Sequence, residues 1–323
     1  MKLSFGDSMR KSYLGRLYLC AAVLCALLFL SAQAMAAGLL RQTVPLERAG
    51  VALHLESYRA DDGQVKQPIL LVHGVTYSSH EFDVNYGDYS LARYLAAHGF
   101  EVWRLDIAGF GESGRVANGF LPDSDYAAED IAAAVRLILA RDGIQRMDVL
   151  GWSWGTVTSG RFAARHPELV RRLVLYAPIV AGLGEQAVKE PFHRNSWLHA
   201  AGDFQMTPSN TIDEAIVEPV VSDTFLSNCW RYDGEQSPNG GRRDLLVSPE
   251  KRLIPTADIE APVLLIAGSK DQYVSPALCR EAYGTLKNKA SRLEIIDGAA
   301  HAMLIEKPYY RTFREKVLEF LRQ

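Results

Sequence analysis

The chain has 323 residues, with 35 lysines and arginines against 38 aspartates and glutamates, a formal charge of −3, and 48% hydrophobic and 23% charged residues. These proportions exclude a collagen-like, disordered or disulfide-dense chain. Without a basic excess they also argue against nucleic acid as a partner, because phosphate binding draws on clustered Lys and Arg.

The first segment reads as a leader. Residues 1–16 carry Lys2, Arg10, Lys11 and Arg16 against Asp7 alone, and Leu17 to Leu30 is uncharged and almost wholly apolar. A helix of that length spans about 21 Å, short of the roughly 30 Å hydrocarbon core of a bilayer. Small residues follow, and Ala34-Met35-Ala36 fits the A-x-A pattern of a signal-peptidase site. The order predicts a signal peptide over 1–36 and a periplasmic or secreted protein. The alternative is an uncleaved N-terminal segment that anchors the protein, and this is the one membrane contact the sequence offers. Cleavage would leave 287 residues with 31 basic and 37 acidic groups, net −6, and two cysteines, Cys229 and Cys279. In an oxidising compartment these either pair or serve as separate small apolar residues.

After the leader, short β-branched runs alternate with helical patterns. Ile69 to Val72 reads as a strand ending at His73-Gly74, residues 89–97 as a helix, and Val102 to Leu105 as a strand. Residues 125–140 form a helix with Ile131, Val135 and Ile138 on one face, stopped at Asp142-Gly143. Met147 to Leu150 is a strand, residues 155–165 a helix, and Leu173 to Tyr176 a strand. Val263 to Ala267 and Leu293 to Ile296 are further strands, and residues 308–321 a closing helix. This rhythm implies an α/β fold with a parallel sheet covered on both faces. Residues 179–261 break it. A structureless loop of that length is improbable in a compact domain, so the segment is expected to be an inserted cap with its own helices, one over 211–226.

The sharpest chemical signal is Gly151-Trp152-Ser153-Trp154-Gly155, directly between a strand and a helix. That context makes G-x-S-x-G informative: a sharp turn presents Ser153 beyond the carboxyl end of the sheet, at a helix N-terminus whose field favours a developing oxyanion. A serine needs a base to take its proton. His301, just past a strand and Asp297-Gly298, is the candidate. His73 reads as a structural loop residue, and His98 and His166 end helices. His54 and His80 have no motif context, and His193 and His199 lie in the insertion. The base needs a carboxylate to hold its tautomer. Asp271 follows the penultimate strand and gives the chain order Ser…Asp…His; Asp258 and Asp297 are weaker alternatives. The oxyanion donors are expected to be the backbone N–H groups of Trp154 and Val75. Tyr77, Ser78 and Ser79 follow on the same loop. Trp152, Trp197 and Trp230, with Phe192, Phe204 and Phe225, either wall an apolar substrate pocket or pack the core of the cap.

Together, Leu71-Val72-His73-Gly74, the Asp106-to-Ser113 loop, Gly151 to Gly155, Gly268 to Asp271 and Gly298 to His301 resemble the α/β-hydrolase superfamily over residues 65–321. The resemblance implies an eight-stranded, mostly parallel sheet with helices on both faces, and residues 39–58 would supply its first two strands. It divides the chain into a catalytic domain of residues 37–178 and 262–323 and an inserted cap of residues 179–261. It also implies a nucleophile, acid and histidine at Ser153, Asp271 and His301. A serine nucleophile favours acyl transfer over epoxide or halide chemistry, and no metal or cofactor is required. The expected function is an exported serine hydrolase cleaving small or medium carboxylic esters. The alternatives are a peptidase, amidase or thioesterase on the same triad, or a non-catalytic binding protein of the same fold. A prolyl-aminopeptidase-like activity would need a cap carboxylate such as Glu214 or Glu218 to hold the substrate ammonium.

Overall fold

The computed structural model describes residues 38–323; the expected leader lies outside the described residues. Strands β1 (Leu39–Arg48) and β2 (Val51–Ala60) form an antiparallel hairpin. Its two loop residues, Ala49 and Gly50, both have positive φ, the two-residue loop whose twist matches the flanking strands. β2 pairs antiparallel with β4 (Phe100–Asp106). The rest of the sheet is parallel: β4, β3 (Gln67–Val72), β5 (Met147–Trp152), β6 (Val170–Tyr176), β9 (Val263–Gly268) and β10 (Arg292–Ile296). The order across the eight strands is β1-β2-β4-β3-β5-β6-β9-β10. Every residue of β4, β5 and β9 is buried, as strands covered on both faces must be.

The covering helices are α1 (Leu91–Ala97), α2 (Ser124–Asp142), α3 (Trp154–Arg165), α7 (Pro276–Thr285) and α8 (Tyr310–Leu321). α2 begins where the Asp123 carboxylate accepts the Asp125 and Tyr126 N–H groups and ends at Gly143 in the left-handed region, which are ordinary start and stop signals. It buries Ile131, Val135 and Ile138. α7 is not anticipated by the apolar pattern. Its start is nonetheless marked by Ser275 as N-cap and Pro276 in the first turn.

The segment between β6 and β9 holds β7 (Phe192–Arg194), α4 (Trp197–Ala201), α5 (Pro219–Asp233), β8 (Gln236–Pro238) and α6 (Gly240–Leu245). The helix expected over 211–226 is displaced. It starts at Pro219, whose missing N–H is harmless only in a first turn, and continues to Asp233. β7 and β8 pair as an antiparallel ribbon, which no alternation in the sequence announces. The segment is tied down at several points. The Asp233 carboxylate accepts the Ser78 N–H and O–H and the Gly111 N–H, each at 2.9 Å. Tyr89 donates to Glu218 at 2.7 Å, and the Lys307 N–H to the Ile216 carbonyl at 2.7 Å. Cys229 and Cys279 are both buried and free.

Candidate active site

Ser153 follows β5 directly and caps α3 with φ +56° and ψ −120°, a conformation an L-residue adopts only under constraint. The turn is tight enough that a Cβ on Gly151 would drive into the Gly155 carbonyl, and one on Gly155 into the carbonyls of Val72 and His73. Both positions therefore require glycine. The loops after β5, β9 and β10 leave the same edge of the sheet because these strands run parallel. Asp271 lies in the loop after β9. Its Oδ1 accepts the Tyr273 and Val274 N–H groups at 2.8 and 3.1 Å, and its Oδ2 faces His301 Nδ1 at 2.9 Å. His301 is 2% exposed. Burial disfavours its imidazolium, but the adjacent Asp271 carboxylate, with Asp203 and Glu306 beyond it, outweighs that and raises its pKa. Asp297 instead accepts the Ser269 hydroxyl at 2.8 Å, and Asp258 sits before β9, at the opposite edge.

Tyr176, the last residue of β6, joins the two loops. Its carbonyl accepts the Ser153 N–H at 3.0 Å. Its phenol donates to the His301 carbonyl at 2.6 Å and accepts the Leu304 N–H at 3.2 Å. Trp152 stacks on its ring at 5.3 Å. Glu306 supports the histidine turn by accepting the Ala300 N–H at 3.0 Å. Sequence patterning shows Tyr176 and Glu306 only as a strand and a loop residue.

The Val75 and Trp154 N–H groups have no partner among the described residues. The Gly74 N–H, by contrast, is occupied by the buried Glu81 carboxyl at 2.9 Å, and burial raises the Glu81 pKa well above the usual carboxylate range. His73 is structural: Nδ1 lies 2.7 Å from the Gly74 carbonyl and Nε2 accepts the Ile107 N–H at 3.0 Å.

A cavity of about 760 Å³ opens over Ser153. Val75, Tyr77 and Trp152 line it, as do Phe192, His193 and His199 from the insertion. Trp197 and Trp230 do not; they are 47% and 40% exposed on the outside of the insertion. Phe204 and Phe225 pack against each other, and Phe225 against Trp152, in the core. The Trp154 ring is buried and donates to Ser124 at 2.9 Å. Ser78 and Ser79 face Asp233 and Asp106 rather than the cavity. Glu214 is exposed and Glu218 is held by Tyr89; neither lines the cavity. The charged residues that do enter it from the insertion include Asp203 and Arg242, which no motif marks. His54, His80, Asp106 and Glu112 bring ligand-type atoms within 4.8 Å of one another, outside the cavity lining.

The profile of the serine aminopeptidase S33 hydrolases matches residues 63–308. A protein of Bacillus subtilis strain 168 named uncharacterized carboxylesterase nap is 25% identical over 267 residues, covering 78% of each chain. A pimeloyl-[acyl-carrier protein] methyl ester esterase of Neisseria meningitidis serogroup A is 29% identical over 269 residues, again 78% of each. Among solved structures, a thermophilic esterase from Thermogutta terrifontis superposes with a TM-score of 0.63 at 18% identity, over 87% of this chain and 98% of that one. With its eight-stranded sheet, its serine elbow and the match over residues 63–308, the chain belongs to the S33 family of α/β hydrolases.

Proposed function

We propose that the protein hydrolyses carboxylic esters through an acyl-enzyme on Ser153. The Ser153 oxygen attacks the ester carbonyl while the free nitrogen of His301 takes its proton. Asp271 holds the other nitrogen protonated and stabilises the imidazolium. The carbonyl oxygen gains a negative charge opposite the unpartnered N–H groups of Val75 and Trp154. Collapse of this intermediate breaks the bond to the alcohol oxygen, which leaves with the proton from His301. Water, deprotonated by His301, then attacks the acyl carbon; the bond to the Ser153 oxygen breaks, Ser153 takes the proton back from His301, and the acid is released.

The observation that carries this reading is Ser153 at φ +56°, open to a cavity, on the sheet edge that also holds the 2.9 Å pair of His301 and Asp271. Ester cleavage is the reading taken because two relatives are named as esterases; the carboxylates of the insertion that line the cavity are Glu190 and Asp203, not Glu214 or Glu218. In this reading Tyr77 and Trp152 contact substrate, and residues 1–36 are removed on export.

The test is hydrolysis of p-nitrophenyl esters of increasing acyl length, with labelling by a fluorophosphonate. Ester hydrolysis and labelling are both expected, and both should disappear in a folded Ser153→Ala variant. Labelling that survives the substitution would overturn the nucleophile assignment.

A further inference from the structure

Buried cations need a counter-charge, and the buried Arg104 and the half-buried Arg48 and Arg171 each have one. Arg104 pairs with Glu56, Arg48 with Asp130, and Arg171 with Asp148. Arg242, on α6, is the exception at the cavity wall. Its guanidinium hydrogen-bonds only to neutral oxygens, Thr76 Oγ1, Ser237 Oγ and Asn239 Oδ1. Among the described residues no carboxylate oxygen lies within 4 Å of it. Burial lowers its pKa only to about 10, so it is cationic at neutral pH. Asp203, in the same lining, is outside that range; it acts on Arg242 only through space, and burial raises its own pKa to about 6.

A further observation converges on the same space. Arg242 is also held against the reaction centre: its partner Thr76 directly follows Val75 and has φ +110°, a strained value for a β-branched residue.

We infer that the substrate carries, besides the scissile ester, an anionic oxygen group that binds Arg242, as in the half-ester of a dicarboxylic acid. This rests on the esterase reading above. Arg242 would supply a charge-assisted hydrogen bond to that group.

The experiment compares kcat/KM for three methyl esters of matched length, monomethyl glutarate, methyl pentanoate and methyl 4-aminobutanoate, in the wild-type, Arg242→Gln and Arg242→Lys proteins. The acidic ester is expected to be preferred over the neutral one at least about tenfold, through KM. Arg242→Gln should lower that ratio about 10- to 100-fold, the size of a lost charge-assisted bond, and Arg242→Lys should lower it less. The ratio cancels any general loss of active protein. An unchanged ratio would mean that Arg242 only holds Thr76, and a preference for the ammonium ester would assign the selectivity to Asp203; either overturns the inference. Binding of glutarate to folded Ser153→Ala by calorimetry separates the two readings. Arg242-dependent binding without ester turnover sinks the esterase reading alone, and turnover without glutarate binding sinks the anion site alone.

Discussion

His301 is the residue whose charge state governs the proposed chemistry. Only the neutral imidazole accepts the Ser153 proton, and the Asp271 carboxylate at 2.9 Å raises the pKa at which that form is lost. As pH falls through this raised value the base is protonated and the rate drops. The acid limb of kcat/KM against pH is therefore expected above the ordinary histidine value of about 6.5. In Asp271→Asn, where only the more distant Asp203 and Glu306 oppose burial, the limb should move down from the wild-type position, with a much lower plateau. A wild-type limb at or below 6.5 would contradict the assignment. Ser153, Asp271 and His301 are legible in the sequence because each follows a short apolar run that ends at one sheet edge. Arg242 and Asp203 are not legible. Arg242 gains its meaning from Thr76, which is 166 residues away, and no spacing rule spans that distance. Trp197 and Trp230 mislead for the converse reason: their ring chemistry suits a pocket, but their helix faces turn them outward.

Among the elements, α5 couples the insertion to the catalytic sheet. Its last residue, Asp233, satisfies three donors that belong to the loops after β3 and β4. Asp233→Ala would leave the Ser78 N–H, the Ser78 O–H and the Gly111 N–H buried without acceptors. Each such group costs about 1–3 kcal/mol, so a loss of about 3 kcal/mol or more in unfolding free energy is expected from urea denaturation. A change under 1 kcal/mol would show that solvent replaces the carboxylate freely. The strands of the parallel sheet are readable because burial on both faces forces continuous β-branched runs. The ribbon of β7 and β8 is not, since three residues per strand carry no period. The start of α5 at Pro219 shows how a single imino acid sets a boundary that apolar spacing leaves open.

At the scale of the whole molecule, the chain order Ser153, Asp271, His301 becomes neighbourhood because β5, β6, β9 and β10 lie side by side. No helix among the described residues is long and apolar enough to cross a membrane. If the leader is cleaved as proposed, N-terminal sequencing of the exported protein should begin at Ala37. A mature N-terminus at Met1 in a membrane fraction would establish the anchored alternative. Tyr176 has a broader consequence. It sits in the middle of the sheet, bonded through its backbone to the serine turn and through its phenol to the histidine turn. Separating the two turns breaks bonds to this one buried residue, so the Ser153 and Leu304 amides that Tyr176 accepts are expected to exchange with solvent more slowly than those of the exposed loops.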